Sequence, residues 1–231
     1  MADMLLIEDH DGVRRLLLNR PQRRNALCAE LIAQLVHALA AARSDASVAA
    51  LVLAGRGPAF CAGLDLDELE PQLTGGQAAD ISPFVELLEA LESCPKPLVA
   101  AVGGPATAGG ATLALTCDCV VAGAAARFGY PGIARGLVAP VVVEPLVRAV
   151  GPRRARRLLL TGELVAAREA AALGLCDEVV PDNQLEQRAQ QCARRLAEIP
   201  AAAVARWKQL LAAGQTGDRR RVWRASEDHS V

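Results

Sequence analysis

Short apolar runs alternate with longer amphipathic segments along the first part of this chain. Met4 to Glu8 and Val13 to Asn19 are typical of two strands joined by a tight turn. Val48 to Ala54 and Leu98 to Val102 are continuous apolar runs, which indicate strands buried on both faces of a sheet. Between these two runs, Ser82 to Ser93 carries apolar residues at helical spacing. Strands separated by helices in this way predict an α/β fold.

Helical patterns dominate the last part of the chain. We predict one helix from Asp182 to Glu198 and another from Pro200 to about Ala213. The chain of 231 residues is therefore divided into a core over residues 1–180 and a helical region over residues 181–231. Its hydrophobic fraction of 52% is enough for a substantial core.

Composition excludes several classes of partner. The formal net charge is −1 and aromatic residues make up 3%, so neither a basic field nor a stacking platform for nucleic acid is expected. No uninterrupted apolar stretch reaches about 18 residues, so we expect no membrane-spanning helix. The seven cysteines form no C-x-x-C pair, and the N-terminus carries no basic and apolar leader. These features favour a cytoplasmic protein with reduced thiols and without a metal site.

The stretch from Arg56 to Leu66 follows the buried run that ends at Ala54, and only small residues separate Phe60 from Leu64. Backbone with small side chains can approach a ligand closely and direct its N–H groups at it. A second stretch of this kind, Gly109-Gly110, opens a predicted helix. We interpret the two stretches as the halves of an oxyanion hole, a pair of N–H donors for a developing negative charge. On its own, the glycine pair would also fit a tight packing turn.

Four segments of the chain carry ordered motifs. Asn19 to Leu27 reads N-R-P-x-x-x-N-A-L, and Gly57 to Leu66 reads G-x-x-F-x-A-G-x-D-L. Two further segments follow, Leu98 to Asp118 and Thr161 to Pro181. Together the four resemble the signatures of the crotonase family, which holds the enoyl-CoA hydratases and isomerases. Because they span most of the chain, the protein is identified as a divergent member of that family.

This resemblance implies the rest of the fold and the ligand. The family fold is a spiral of β-β-α units in two sheets, followed by a helical region that drives assembly into trimers and often hexamers. Its ligands are acyl-CoA thioesters, so coenzyme A enters as part of the substrate and no separate cofactor is implied. Ala225 to His229 is similar to a family segment that precedes one more helix, but the sequence ends at Val231, so this last helix is expected to be missing.

The resemblance also implies the site residues. The oxyanion donors would be the backbone N–H groups of Leu64 and Gly109, which would stabilise negative charge on the thioester oxygen. Contacts with coenzyme A are implied for six positions, of which the arginines suit phosphate groups: Arg23, Arg24, Ala26, Ala62, Asp65 and Leu66. For each arginine taken singly, a solvated surface position is an equal alternative.

The acid–base residues depart from the family pattern. Thr112 stands where hydratases of the family have one glutamate, and Gly132 stands where they have the second. Hydration needs a base for water and an acid for Cα, and a threonine hydroxyl performs neither role well. Glu86 and Glu144 are the carboxylates we consider instead, with a solvated helix face and a helix start as their alternatives. Tyr130 is a candidate weak acid, with edge packing as its alternative.

These features predict an acyl-CoA-binding protein of the enoyl-CoA hydratase/isomerase type that polarises a thioester carbonyl, with weak or altered activity. We expect a homotrimer or a hexamer. Two alternatives remain open: a non-catalytic acyl-CoA-binding protein, and a thioester hydrolase that uses another carboxylate. Asp67 and Glu68 follow the first glycine-containing stretch and are further plausible acid–base carboxylates, with exposure to solvent as their alternative.

Overall fold

The computed structural model describes residues 3–74 and 80–214 and has the α/β fold that the sequence predicts. Its strands are β1 Leu5–His10, β2 Val13–Leu18, β3 Ala50–Gly55, β4 Leu98–Val102, β5 Pro105–Thr107, β6 Cys119–Gly123, β7 Arg127–Gly129, β8 Leu164–Ala166 and β9 Glu178–Val180. Its helices are α1 Ala29–Ser44, α2 Leu66–Thr74, α3 Ser82–Glu92, α4 Gly109–Leu115, α5 Val143–Thr161, α6 Ala167–Leu173, α7 Leu185–Ala197 and α8 Ala201–Gly214.

Six strands form the central sheet in the order β1-β2-β3-β4-β6-β9. β1 and β2 are an antiparallel hairpin, and the other neighbours in this sheet are parallel. Every residue of β4 is buried, as are all but the last residue of β3. Side chains of α1 and α3 pack on one face of the sheet, and those of α7 pack on the other. This double cover explains the continuous apolar runs of the two strands.

A second sheet contains the short strands β5, β7 and β8. β5 and β7 are parallel, with Thr107 opposite Gly129, whereas β7 and β8 are antiparallel. The sequence patterns missed β5, β8 and the helix α2. Strands of 3 residues are too short to show an alternation of apolar and polar residues. The acidic residues in the first turn of α2 fit the start of a helix, but the sequence analysis did not use them.

The two helices predicted after residue 181 are confirmed as α7 and α8, although α7 also covers the central sheet. α5 is kinked at Gly151, whose φ is 77°, directly before Pro152. The family helix that is expected to be missing would follow residues 225–229, which lie outside the described ranges. Within residues 3–74 and 80–214, none of the helices combines the length and the apolar character needed to cross a membrane.

The loop of residues 56–66 lies between two neighbouring segments. On one side, the backbone of Leu27 exchanges two hydrogen bonds with the loop, of 2.8 and 3.0 Å. On the other side, the Thr107 N–H at the end of β5 donates to the carbonyl oxygen of Cys61 at 3.0 Å. The loop is therefore held along both edges by backbone hydrogen bonds, although it is not a regular strand.

Asn25 fixes the beginning of the 56–66 loop. Its side chain is fully buried, and its amide nitrogen donates to the carbonyl oxygens of Arg56 at 3.0 Å and Ala59 at 2.8 Å. Its amide oxygen accepts the N–H of Arg20 at 2.9 Å. The φ of Asn25 is 54°, in the left-handed region that asparagine tolerates better than most residues. These three hydrogen bonds explain an asparagine at this position of the first motif.

Asp65 fixes the end of the same loop. Its buried carboxylate accepts hydrogen bonds from the guanidinium groups of Arg20 at 2.9 Å and Arg23 at 3.1 Å. Burial by itself would raise the pKa of Asp65, but the hydrogen bonds from the two arginines outweigh it and hold that pKa below its ordinary value. The ion pairs thus connect the loop to the segment that precedes α1.

Gly110→Ala is expected to lower the free energy of unfolding by about 3 kcal/mol. A Cβ on Gly110 would lie 2.1 Å from the carbonyl oxygen of Cys61, so α4 and the loop would have to separate. Gly103→Ala is the control, because its Cβ would meet only the Leu185 side chain, at 3.2 Å. Urea unfolding compares the two variants. Alanine normally stabilises a helix relative to glycine, so a Gly110→Ala protein as stable as wild type would contradict this packing.

Asp65→Asn is expected to lower the free energy of unfolding at neutral pH by about 2 kcal/mol or more, because Arg20 loses the buried charge that it pairs with. The folded-state pKa of Asp65 is lowered, so its contribution is present above the unfolded pKa of about 3.9 and is lost as the pH falls through the folded value. The difference between wild type and variant should therefore shrink below about pH 4 in urea titrations.

Asp67→Asn is the matched control for this prediction. Asp67 is largely exposed, and among the described residues its ion pair is with Arg23, so its removal should cost about 0.5 kcal/mol or less at neutral pH. Equal losses in the two variants, or a difference that does not depend on pH, would contradict a structural role for the Asp65 carboxylate.

Candidate functional site

The backbone N–H groups of Leu64 and Gly109 are the candidate donors of the site. Neither forms a hydrogen bond within the part of the chain that the structure describes. Gly63 lies directly between the two segments, since a Cβ on it would be 2.9 Å from the nitrogen of Gly109. The φ of Gly63 is 94°, which glycine adopts without strain. The structure therefore brings the two segments into contact and leaves both N–H groups without a hydrogen-bond partner among the described residues.

Ala108 sets the orientation of the second donor. Its φ of 50° and ψ of −121° form a strained combination for a residue with a side chain. The Ala108 N–H donates to the carbonyl oxygen of Gly129 at 2.9 Å, so β7 holds the residue in this conformation. Because ψ of Ala108 turns the following peptide plane, the strain determines where the Gly109 N–H points.

A small cavity of ≈ 50 Å³ lies beside Leu64, between α1, α2 and α3. Eight of its eleven lining residues are apolar, and Phe84 of α3 is one of them. Phe84 also packs on the second donor segment, because a Cβ on Gly109 would be 3.2 Å from its Cζ atom. The cavity and the donor pair therefore share this aromatic side chain, and an apolar group bound beside Leu64 would contact it.

Three carboxylates line the same cavity, and each takes part in a structural hydrogen bond. Asp65 pairs with two arginines, as described above. Glu68 accepts the backbone N–H of Ala29 at 2.8 Å, at the beginning of α1. Asp80 accepts the backbone N–H of Ser82 at 2.9 Å, at the beginning of α3. The sequence analysis did not select Glu68 or Asp80, because their proximity to Leu64 depends on how the helices pack.

Two of the acid–base positions considered from the sequence carry no carboxylate, and the structure shows what surrounds them. Thr112 is fully buried, and its hydroxyl donates only a long hydrogen bond, of 3.3 Å, to the carbonyl oxygen of Ala108. Gly132 lies in a 3-10 turn after β7, and a Cβ on it would first meet Leu137, at 3.3 Å.

The two glutamates proposed from the sequence lie on helix surfaces. Glu86 is exposed on α3. The side chain of Glu144 is 64% exposed and forms an ion pair of 2.7 Å with Arg148 on the same helix. Among the described residues, the cavity beside Leu64 has neither of them in its wall. The structure does not bring these carboxylates to the candidate donors.

The positions implied for coenzyme A contacts surround the 56–66 loop. Arg23 is occupied by Asp65 and Asp67, and it therefore has to exchange these ion pairs to bind a phosphate. Arg24 is exposed, and none of the ion pairs among the described residues includes it. Of the other four positions, three belong to the loop itself and one lies in the neighbouring segment before α1: Ala62, Asp65 and Leu66, and Ala26.

Cys61 lies in the middle of the loop but is not a nucleophile of the site. Its side chain is fully buried, and burial raises the pKa of its thiol to about 12, although the Gly63 N–H directed at its sulfur opposes this. A thiol with such a pKa stays protonated at neutral pH and reacts slowly. Cys61 is a small packing residue, as the sequence analysis treats it.

Known proteins resemble this chain over most of its length. Residues 8–229 match the family described as enoyl-CoA hydratase/isomerase. A putative enoyl-CoA hydratase of Thermus thermophilus is 44% identical over 199 residues, which are 85% of this chain and 79% of that protein. The 2,3-dehydroadipyl-CoA hydratase of Escherichia coli is 38% identical over 91% of this chain and 82% of its own length.

Solved structures are similar in fold over nearly the whole chain. The crystal structure of an enoyl-CoA hydratase from Mycobacterium smegmatis superposes with a TM-score of 0.89 at 35% identity, covering 98% of this chain and 89% of that one. The crotonase resemblance predicted from the four motifs is thereby confirmed. On the sequence match and the shared fold together, the chain belongs to the enoyl-CoA hydratase/isomerase family.

Proposed function

We propose that this protein binds an acyl-CoA thioester and polarises its carbonyl group with the backbone N–H groups of Leu64 and Gly109. The observation that carries the proposal is the pair of unpaired N–H groups on two segments in contact. Family membership supplies the ligand class, because the related proteins are described as acting on CoA thioesters. The cavity beside Leu64 supports the same ligand, since its apolar side chains suit part of an acyl or pantetheine chain.

The chemistry follows from the thioester. Removal of a proton from Cα, or attack of water on Cβ of an enoyl group, places negative charge on the carbonyl oxygen. Two fixed N–H donors stabilise this enolate more than they stabilise the neutral thioester, which lowers the barrier. The strain at Ala108 supports such a role, because energy stored in the backbone is retained where geometry matters for function.

Gly109→Pro is expected to weaken binding of acetoacetyl-CoA, whose enolate carries charge on this oxygen, by about 10- to 100-fold. Proline is accepted at the first position of a helix, and it removes the N–H that the proposal requires. Gly109→Ala is the matched control, because it adds a Cβ next to Phe84 but retains the N–H. Titration calorimetry measures both. Equal affinity of the two variants would contradict a donor role for Gly109.

The reaction is of the hydratase or isomerase class, and the source of its acid and base is the open step. The chain has no carboxylate at residues 112 and 132, which favours a second candidate, a non-catalytic acyl-CoA-binding protein. Glu68 favours a third, a thioester hydrolase, since it is a carboxylate in the wall of the cavity beside Leu64.

Absorbance assays with crotonyl-CoA and a 3-enoyl-CoA separate these candidates. Turnover that Glu68→Gln abolishes identifies an enzyme with Glu68 as its base, and thiol release identifies the hydrolase. Binding of both ligands without turnover identifies the binding protein. Glu86→Gln and Glu144→Gln serve as surface controls, because both side chains lie on helix surfaces.

The double variant Thr112→Glu with Gly132→Glu is expected to raise hydration of crotonyl-CoA by about 10²- to 10⁴-fold, the usual contribution of an acid–base pair. The turn at Gly132 has room for a side chain after a small movement of Leu137. The control is Thr112→Gln with Gly132→Gln, which has similar volume and cannot transfer protons. The loss of enoyl absorbance measures the rate. Equal rates in the two double variants would show that more than the carboxylates is missing.

The proposal also includes a contact with coenzyme A, an oligomeric state and a cellular compartment. The exposed Arg24 is the side chain best placed to contact a phosphate of coenzyme A without giving up an ion pair. We further propose a homotrimer or hexamer in the cytoplasm, from the family resemblance and from the free thiols that the structure shows at all seven cysteines.

A further inference from the structure

Two cysteines lie on elements that face each other on one side of the central sheet. Cys119 is the first residue of β6, and Cys192 lies in the second half of α7. Side chains of a strand alternate between the two faces of its sheet, so Cys119 points to the same face as Val121, which packs in the cluster beneath α7. The strand therefore presents the Cys119 thiol to the helix.

Helical spacing brings the second thiol to the same place. Cys192 follows the buried Ala189 by three residues and directly precedes the buried Ala193, so it lies on the face of α7 that covers the sheet. Cys119 and Cys192 both pack at the side of one apolar cluster, and their thiols interact with each other. They are also the two cysteines that are partly exposed, whereas the other five are buried. Cys119 and Cys192 thus form a thiol pair that solutes can reach.

The two members of the thiol pair differ in their surroundings. Burial, the Cys192 side chain and Asp177 raise the pKa of the Cys119 thiol to about 12, so this thiol keeps its proton at neutral pH. Asp177 is fixed there, because its carboxylate accepts the Val120 N–H at 2.6 Å. Cys192 instead interacts with the guanidinium group of Arg188, one turn earlier on α7, and a cation beside a sulfur favours its reaction as a nucleophile. Cys192 is therefore the thiol at which a reaction begins.

We propose that the thiol pair is an oxidation site, at which hydrogen peroxide forms a reversible disulfide bond between Cys119 of β6 and Cys192 of α7. The Cys192 sulfur attacks one oxygen of the peroxide and becomes a sulfenic acid, while the other oxygen leaves as water with the thiol proton. The Cys119 sulfur then attacks the sulfenic sulfur, and its proton leaves with the sulfenic oxygen as a second water. The two thiols together lose two electrons, which the peroxide accepts.

The disulfide bond fastens α7 to the central sheet. It closes the chain segment from residue 119 to residue 192, which contains β7, α5, β8, α6 and β9. A bond that closes so long a segment restricts the unfolded chain and raises stability when the native geometry is kept. The thiols already interact, so only a short further approach is needed. In a cytosolic protein such a bond is transient, and it forms when oxidants accumulate.

Peptide mapping after peroxide treatment tests the proposal. Folded wild-type protein is treated with hydrogen peroxide and denatured in excess N-ethylmaleimide, and its tryptic peptides are compared by mass spectrometry with and without dithiothreitol. We expect a peptide pair joined through Cys119 and Cys192 that dithiothreitol separates. The oxidised protein should melt roughly 5–10 °C higher than the reduced one.

Three variants separate a reaction of the thiol pair from general oxidation. Cys119→Ser should retain a sulfenic acid on Cys192 that dimedone traps, and neither this variant nor Cys192→Ser should melt higher after peroxide treatment. Cys176→Ser is the matched control, because Cys176 is a buried thiol in the core on the opposite face of the sheet. It should form the same disulfide bond as wild type.

The proposal is overturned if peroxide leaves both thiols of wild type free, oxidises them singly or joins them to other cysteines. A joined pair in a protein that melts no higher than its reduced form also overturns it, since the bond would then form only by displacing α7. None of these measurements uses a thioester, so their outcome does not depend on the proposed function.

Discussion

The contact between two backbone segments, the 56–66 loop and the junction of β5 with α4, is the constraint on which the rest of the site depends. Gly63 and Gly110 lie where any Cβ would collide with backbone atoms of the facing segment. This contact brings the N–H groups of Leu64 and Gly109 together without the help of a side chain. Polarisation of a carbonyl by such a pair depends on main-chain geometry, and it is therefore independent of the side chains that would move protons.

Side chains enter the site mainly as supports for this backbone. Asn25 holds the beginning of the loop with three hydrogen bonds, and Asp65 holds its end through Arg20 and Arg23. Both residues belong to the motifs that made the chain recognisable, and in this structure both act on loop position. Conformation, rather than reactivity, accounts for much of what those motifs specify.

The sequence predicted the parts of the fold that have long apolar patterns and the loop that glycine and small residues define. It missed β5 and β8, whose lengths are too short for a pattern, although β5 and its partner β7 determine where Tyr130 lies. It also favoured Glu86 and Glu144 over Glu68, since only the packing of α2 against α1 brings Glu68 to the cavity. Long-range proximity of this kind is not contained in local periodicity.

Such a site has two functions, polarisation of the carbonyl group and transfer of protons, and different groups perform them. In a hydratase, fixed donors hold the carbonyl oxygen of the thioester, whereas ionisable side chains move protons to and from water and Cα. Here the two candidate donors lie on backbone segments in contact, while Thr112 and Gly132 stand where hydratases of the family have carboxylates. Neutral donors lower the cost of binding an uncharged oxygen but contribute little to moving a proton. Carbonyl polarisation by backbone donors and proton transfer by side chains are therefore separable properties of such a site.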